Sequence, residues 1–289
     1  MKLGVVTPVV TRLPGAHAEW EASAGIDEIA RVAVEAERLG YHHLTCSDHV
    51  GIPTEIAKVR GATYWDPLAT LAFVAARTST IKLATHVLVL GYHHPLAIAK
   101  RFGTLDRISG GRLVLGVGVG SLAEEFELLG APFDDRGDRA DDAIRALRAA
   151  WAQPEPAYAG PYYAFEGFVV DPCAVNADTP IWVGGRTARS LRRAVELADG
   201  WVPFGIRRAD LAEMIARARD TEAWSARTAN FELVLQNEQP FDPGAEPERV
   251  RDAAGRLRDA GATILNVRFV HHSLEHYVEQ LTAMRELAG

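Results

Sequence analysis

Residues 81–121, IKLATHVLVLGYHHPLAIAKRFGTLDRISGGRLVLGVGVGS, decide how the rest of the chain is read. Ile81 to Val89 is apolar and β-branched, a strand pattern. Pro95 then opens a helix at its first position, where a missing N–H costs nothing, and Ile98, Phe102 and Leu105 give it one apolar stripe. Gly110 and Gly111 stop it. Leu113 to Val117 is continuously apolar, as expected of a parallel strand covered on both faces. Parallel neighbours need a crossover, so the stretch is a strand–helix–strand unit. Its strands end in polar or glycine-rich turns, and ligands of parallel α/β folds sit at such carboxyl ends.

Outward from this unit the pattern continues without any repeat of sequence. Short apolar strands are predicted near residues 3, 43, 82, 113, 181, 201, 232 and 263, nearly all separated by helical periodicity. Asp66-Pro67 joins an N-cap to a proline at the first helical position, and one long helix is expected between about Ala209 and Ala226. Residues 158–172, YAGPYYAFEGFVVDP, are aromatic around two glycines and break the alternation, which places a hairpin or loop insertion near residues 155–172. Eight such units with no linker or composition shift favour a (β/α)8 TIM barrel, with residues 1–289 as a single domain. A doubly wound open sheet would leave the last units without a clear place.

Composition narrows the function. The hydrophobic fraction of 48% and charged fraction of 24% are those of an ordinary globular protein with a substantial core. A net charge of −7 argues against nucleic acid or an anionic membrane as the main partner. Cys46 and Cys173 make no disulfide framework, and none of the ten histidines has a metal-binding spacing, so no metal is expected. The opening MKLGVVTPVV has too short an apolar run before its proline for a signal peptide, and no stretch approaches the ~20 apolar residues of a membrane span. The expected location is cytoplasmic.

Three motifs fall at strand ends. Asp48-His49 follows the second strand and reads equally as an acid–base pair or as a cap and hydrogen-bonding pair. Gly116 to Ser121 has GxGxG spacing with no ribose-binding acid about twenty residues on, which discounts a dinucleotide site; its glycines serve either a flat ligand's close approach or plain turn geometry. Gly184-Gly185-Arg186-Thr187 leaves N–H groups at a helix start, with an arginine fork beside them, and favours phosphate over an ordinary helix start. His86, alone in the third strand's final turn, reads first as a satisfied buried group, and His93-His94 and His271-His272 fall at loops.

SDHV at Ser47 to Val50, LATHVLVL followed by HPLAIAKRFGTLDRISGGRLVLGVGVG, and PIWVGGR with RRAVELADGWVP together resemble the bacterial luciferase-like superfamily, specifically its coenzyme F420-dependent oxidoreductase branch. The resemblance spans almost the whole chain. It implies a barrel that holds a flavin or deazaflavin over its mouth. By the same resemblance Asp48 contacts the ring, His49 matches the adjacent histidine that some members use in catalysis, and His86-Val87 matches a non-proline cis peptide behind the ring. Gly118, Gly120 and Ser121 would lie beside the ring, and Gly184, Gly185, Arg186 and Thr187 would hold the phosphate. Ser121 departs from the pattern, because the sugar-phosphate dehydrogenases of the branch carry a glutamate acid there. Glu124 or Glu125 is the nearby replacement, and His49 the remaining proton-transfer group.

The activity implied is hydride transfer between F420 and a small organic substrate. The alternatives are an FMN-dependent monooxygenase of the same superfamily and a non-catalytic cofactor-binding barrel. The loop from Gly51 to Trp65 and the insert around Tyr162 to Phe168 are expected to shape the pocket, and the habit of family members implies a homodimer.

Overall fold

The computed structural model describes residues 1–15 and 17–288. Eight parallel strands form a closed ring: β1 (Lys2–Val5), β2 (His43–Cys46), β3 (Lys82–Thr85), β4 (Leu113–Gly118), β5 (Ile181–Gly185), β6 (Gly200–Pro203), β7 (Glu232–Gln236) and β8 (Ile264–Val267). Each pairs with the next, and β8 returns to β1 with Leu3 opposite Leu265. The outer layer is α1 (Ile26–Arg38), α2 (Pro67–Arg77), α3 (Pro95–Ser109), α4 (Arg136–Ala150), α5 (Ala188–Leu197), α6 (Arg208–Arg219), α7 (Pro247–Asp259) and α8 (Leu274–Ala288). This is the (β/α)8 barrel read from the sequence.

The ring closes because both faces of most strands are apolar. Ala84, Val114, Trp182, Val202, Val234 and Ile264, one from each of β3 to β8, form the inward cluster. The alternate residues, Leu83, Leu115, Val183, Leu233 and Leu265 among them, pack outward in the main core. Gly4 makes room for a buried histidine, since a Cβ there would stand 2.1 Å from the His43 ring. Local signals set the helix ends: Asp66 Oδ1 accepts the Ala69 N–H at 2.7 Å, and Gly110 ends α3 at φ 69°. Arg112 ties α2 to α3. Its Nε donates to the Ser109 carbonyl, Nη1 to Thr78 Oγ1 and the Ile81 carbonyl, and Nη2 to the Ala75 and Thr78 carbonyls. A cation on loose C-terminal carbonyls also complements the helix dipole.

Two elements differ from the sequence reading. β3 ends at Thr85; the His86–Val87 peptide is cis, and Leu88–Val89 pairs separately with β4, Leu88 opposite Val117. The long helix expected to reach Ala226 stops at Arg219, and a short helix, Glu222–Ser225, follows. Thr221 makes the break: its Oγ1 accepts the Trp224 N–H at 3.3 Å, a cap that competes with helix continuation. The insertion is a hairpin, Tyr158–Ala159 against Ala164–Phe165. Asp142 of α4 pins it, accepting the Tyr162 and Tyr163 N–H groups at 2.9 and 3.0 Å and the Tyr158 hydroxyl at 2.5 Å. Among the described residues no helix is long and apolar enough to cross a membrane.

Candidate active site

The carboxyl ends of the strands open into a cavity of about 450 Å3. Every strand contributes to it. Thr7 follows β1, Asp48 and His49 follow β2, His86 and Val87 follow β3, Gly118 to Ser121 end and follow β4, Gly184 and Gly185 end β5, Phe204 follows β6, Gln236 ends β7 and Arg268 follows β8. Of the residues expected to hold the ring and phosphate, Arg186 and Thr187 are absent from this lining.

Asp48 is buried, its Oδ2 accepting the Val89 N–H at 3.0 Å and standing 3.5 Å from His93 Nε2. His49 Nδ1 lies 2.8 Å from Glu125 Oε2, and its ring meets Tyr64 edge-on, with centroids 4.5 Å apart. Glu125 belongs to a short helix after β4, Ala123–Leu128, and is 1% exposed. Its Oε1 accepts the Val50 and Gly51 N–H groups at 2.6 and 3.1 Å, and its Oε2 accepts the Tyr92 hydroxyl at 2.5 Å. Burial alone raises a carboxyl pKa, but the hydrogen bonds from Tyr92, His49, Gly51 and Val50 outweigh it and hold Glu125 below its usual range. An ionised carboxylate only accepts, so His49 Nδ1 carries a hydrogen and Nε2 is left for proton transfer. Glu124, on the same helix, is exposed, and among the described residues Ser121 Oγ meets only the Arg60 guanidinium, at 3.5 Å.

The glycines serve the wall in a way that neither sequence reading anticipates. A Cβ on Gly118 would stand 2.6 Å from Val87 Cγ2, and one on Gly184 would stand 2.8 Å from Val87 Cγ1. The two missing side chains thus seat Val87 in the back of the cavity. Gly120 has φ 77°, and its Cβ would meet Phe126 at 2.5 Å. The Ser47 hydroxyl donates to the His86 carbonyl at 2.9 Å. Burial pushes His86 down to about 4, so its imidazole is neutral at pH 7.

At the late glycine loop, a Cβ on Gly185 would stand 2.5 Å from the Ser190 Cβ, so the bare backbone lets α5 start against the strand end. Thr187 Oγ1 caps that helix by accepting the Ser190 N–H at 3.2 Å. Arg186 is exposed. The insert does not shape the cavity as expected: Tyr162 to Phe168 are outside the lining, the Tyr163 ring packing 5.5 Å from that of His94 while Phe168 is exposed. From the loop Gly51 to Trp65 only Arg60 and Tyr64 reach the cavity among the described residues.

Sequence reasoning missed the wall opposite. Glu21, in the turn Glu19–Ala22, is 3% exposed; it accepts the Val9 N–H at 2.7 Å and the Ala18 N–H at 2.8 Å, and stands 3.5 Å from His271 Nε2. The Trp20 indole donates to His271 Nδ1 at 2.9 Å, which directs the ring's own hydrogen toward Glu21. Burial holds His271 below its ordinary pKa. No local pattern marks Glu21, and His271 stands out in sequence only as a loop histidine.

A sequence profile of luciferase-like monooxygenases matches residues 1–286. The chain belongs to the luciferase-like monooxygenase family. Within this family it is similar to an uncharacterized protein of Mycobacterium tuberculosis, 29% identical over 250 residues, covering 82% of this chain and 83% of that one. It is also similar to an F420-dependent glucose-6-phosphate dehydrogenase of Intrasporangium calvum, 27% identical over 263 residues, covering 86% of this chain and 72% of that one. Among solved structures it resembles the monooxygenase RslO1 from Streptomyces bottropensis, with TM-score 0.81, 22% identity and coverage of 99% and 98%. Its sequence relatives also include, over a shorter stretch, a limonene 1,2-monooxygenase of Rhodococcus erythropolis, 33% identical over 139 residues, covering 47% of this chain and 34% of that one.

Proposed function

We propose that this luciferase-like protein transfers a hydride between coenzyme F420 and a small organic substrate. One observation carries the reading: His49, oriented by buried Glu125, lines the same cavity as the apolar wall formed by Val87. The lining suits a flat deazaflavin. Val6, Val87, Val89 and Val119 offer it an apolar surface, and Gly118 and Gly184 keep Val87 seated where an added Cβ would displace it. Asp48, His86, Val87, Gly118, Gly120, Ser121, Gly184 and Gly185 would hold the ring, and Arg186 and Thr187 the phosphate at the start of α5, where the helix dipole favours an anion. The F420-dependent relative supports this choice of coenzyme.

Bound F420 supplies the hydride chemistry. The chain's own groups position and protonate. Glu125 fixes the His49 ring with its hydrogen on Nδ1, and Nε2 gives or takes the proton that accompanies hydride movement. Neutral His86 leaves the back wall uncharged. The reading includes a homodimer, which light scattering tests by mass. The activity test is anaerobic incubation of the protein with F420 or its reduced form across alcohols, aldehydes and activated alkenes. A change in deazaflavin absorbance with one substrate class is expected. Substrate oxygenation by reduced FMN in a parallel aerobic assay, absent without the protein and with no F420 reaction, contradicts it.

A further inference from the structure

Buried Arg112 and half-buried Arg268 are used very differently. Arg112 engages every guanidinium nitrogen with the ends of α2 and α3. Arg268, just after β8, lines the main cavity, yet among the described residues its guanidinium meets only the Asn237 and Glu238 carbonyls, both through Nη2, at 3.4 and 3.1 Å. Its Nε is enclosed and has no partner, and no carboxylate lies within 4 Å of it among the described residues. The side chain of Glu238, whose carbonyl Arg268 touches, pairs instead with Arg208 at 3.7 Å.

The loop after β7 does not need this cation. Asn237 already fastens it, accepting the Arg268 N–H at 3.0 Å and donating to the Arg268 and Gln239 carbonyls at 2.9 and 2.7 Å. Arg227 also has a bare Nε, but its guanidinium lies over the Phe231 ring at 4.8 Å. A partly buried charge without a counter-ion is costly unless something pairs with it. Arg268, Phe204 and Gln236 line both the main cavity and a neighbouring one of about 320 Å3, so the charge stands where the two meet. The other cavity-lining charges have partners of their own: Glu21 and Asp48 hold backbone N–H groups and face histidines, and half-buried Arg60 donates to the Ser121 hydroxyl at 3.5 Å.

We infer that Arg268 is the anchor for an oxyanion, carboxylate or phosphate, carried by the substrate, which makes this a subsite for acidic small molecules at the junction of the two cavities. The inference rests on the oxidoreductase reading for the word substrate, but binding tests it without turnover. Benzoate, phenyl phosphate and neutral benzamide are titrated into wild type, Arg268→Gln and Arg268→Lys, each checked for its melting temperature, with and without saturating F420. Wild type is expected to bind benzoate or phenyl phosphate at least about ten-fold tighter than benzamide, as a charge-assisted contact requires. Which acid binds tighter distinguishes carboxylate from phosphate. Arg268→Gln removes the preference and Arg268→Lys keeps part of it, while F420 affinity stays within two-fold, about the scatter of such titrations. Equal binding of benzamide by wild type overturns the inference even if the variants do not fold. Displacement of the acid by F420, or an equal loss of F420 affinity in Arg268→Gln, also overturns it by assigning the arginine to the coenzyme. Failure of F420 to bind at all, with the acid preference intact, would overturn only the coenzyme reading.

Discussion

Glu125 is the residue on which the proposed chemistry depends. It sits behind His49, and its carboxylate collects four donors within 3.1 Å. Replacing it by alanine strands the Tyr92 hydroxyl and the Val50 and Gly51 N–H groups, so Glu125→Ala should lower the unfolding free energy by about 2 to 5 kcal/mol in a denaturant titration. An unchanged midpoint would contradict the network. Glu125→Gln keeps the shape but loses the charge that fixes the His49 hydrogen. Where turnover is measured, it should fall by about 100- to 10,000-fold with coenzyme affinity retained, the range for a misdirected catalytic histidine. Equal rates would remove His49 from the proton path. Sequence brought Glu125 within reach but could not orient it. Its helix, Ala123–Leu128, spans six residues, and its direction is set by Phe126 packing on Tyr92 and Phe133 rather than by any local periodicity.

At the scale of elements, the site depends on how β3, β4 and β5 meet around one side chain. Val87 occupies space left by Gly118 and Gly184. Gly118→Ala should therefore destabilise by about 1 to 3 kcal/mol, the usual range for overpacking. In a Val87→Ala background most of that penalty should vanish, since the double-mutant cycle removes the clashing partner. An equal penalty in both backgrounds would contradict the seating. The sequence showed glycines at these strand ends because glycine is conspicuous. It could not show which neighbour needed the space, because Val87 and Gly184 meet only in the folded barrel. The same limit explains the insert: its aromatics were legible as a hairpin or loop insertion, yet Asp142 draws it to α4 and away from the cavity.

For the whole molecule, the barrel was legible because its signals are local. Apolar runs such as Leu113 to Val117, the Asp66 cap and the Gly110 stop each act within a few residues, and repeating them eight times leaves one closed arrangement. What stayed hidden are contacts between distant segments, as in Glu21 with His271. The fold also carries a pH dependence. Burial holds His42 and His86 at about 4 and His43 well below its ordinary value. In the unfolded chain each takes up a proton near 6.5. Between these values the unfolded state binds more protons, so stability is full above about pH 7 and falls as pH drops from about 6.5 toward 4. Glu125, with its lowered pKa, adds a further loss below the usual carboxylate range. The melting temperature should fall steadily from pH 7 to pH 5, and a flat or rising profile would contradict neutral burial of these histidines.

The central claim is that this cavity is a deazaflavin site, and a binding titration tests it most directly. F420 and FMN are titrated separately into the purified protein, and again into Arg186→Ala. The account predicts tighter binding of F420 than of FMN, and a loss of about 1 to 3 kcal/mol in F420 affinity for Arg186→Ala, as for a charge-assisted phosphate contact. Tighter binding of FMN, or binding of neither, would contradict it.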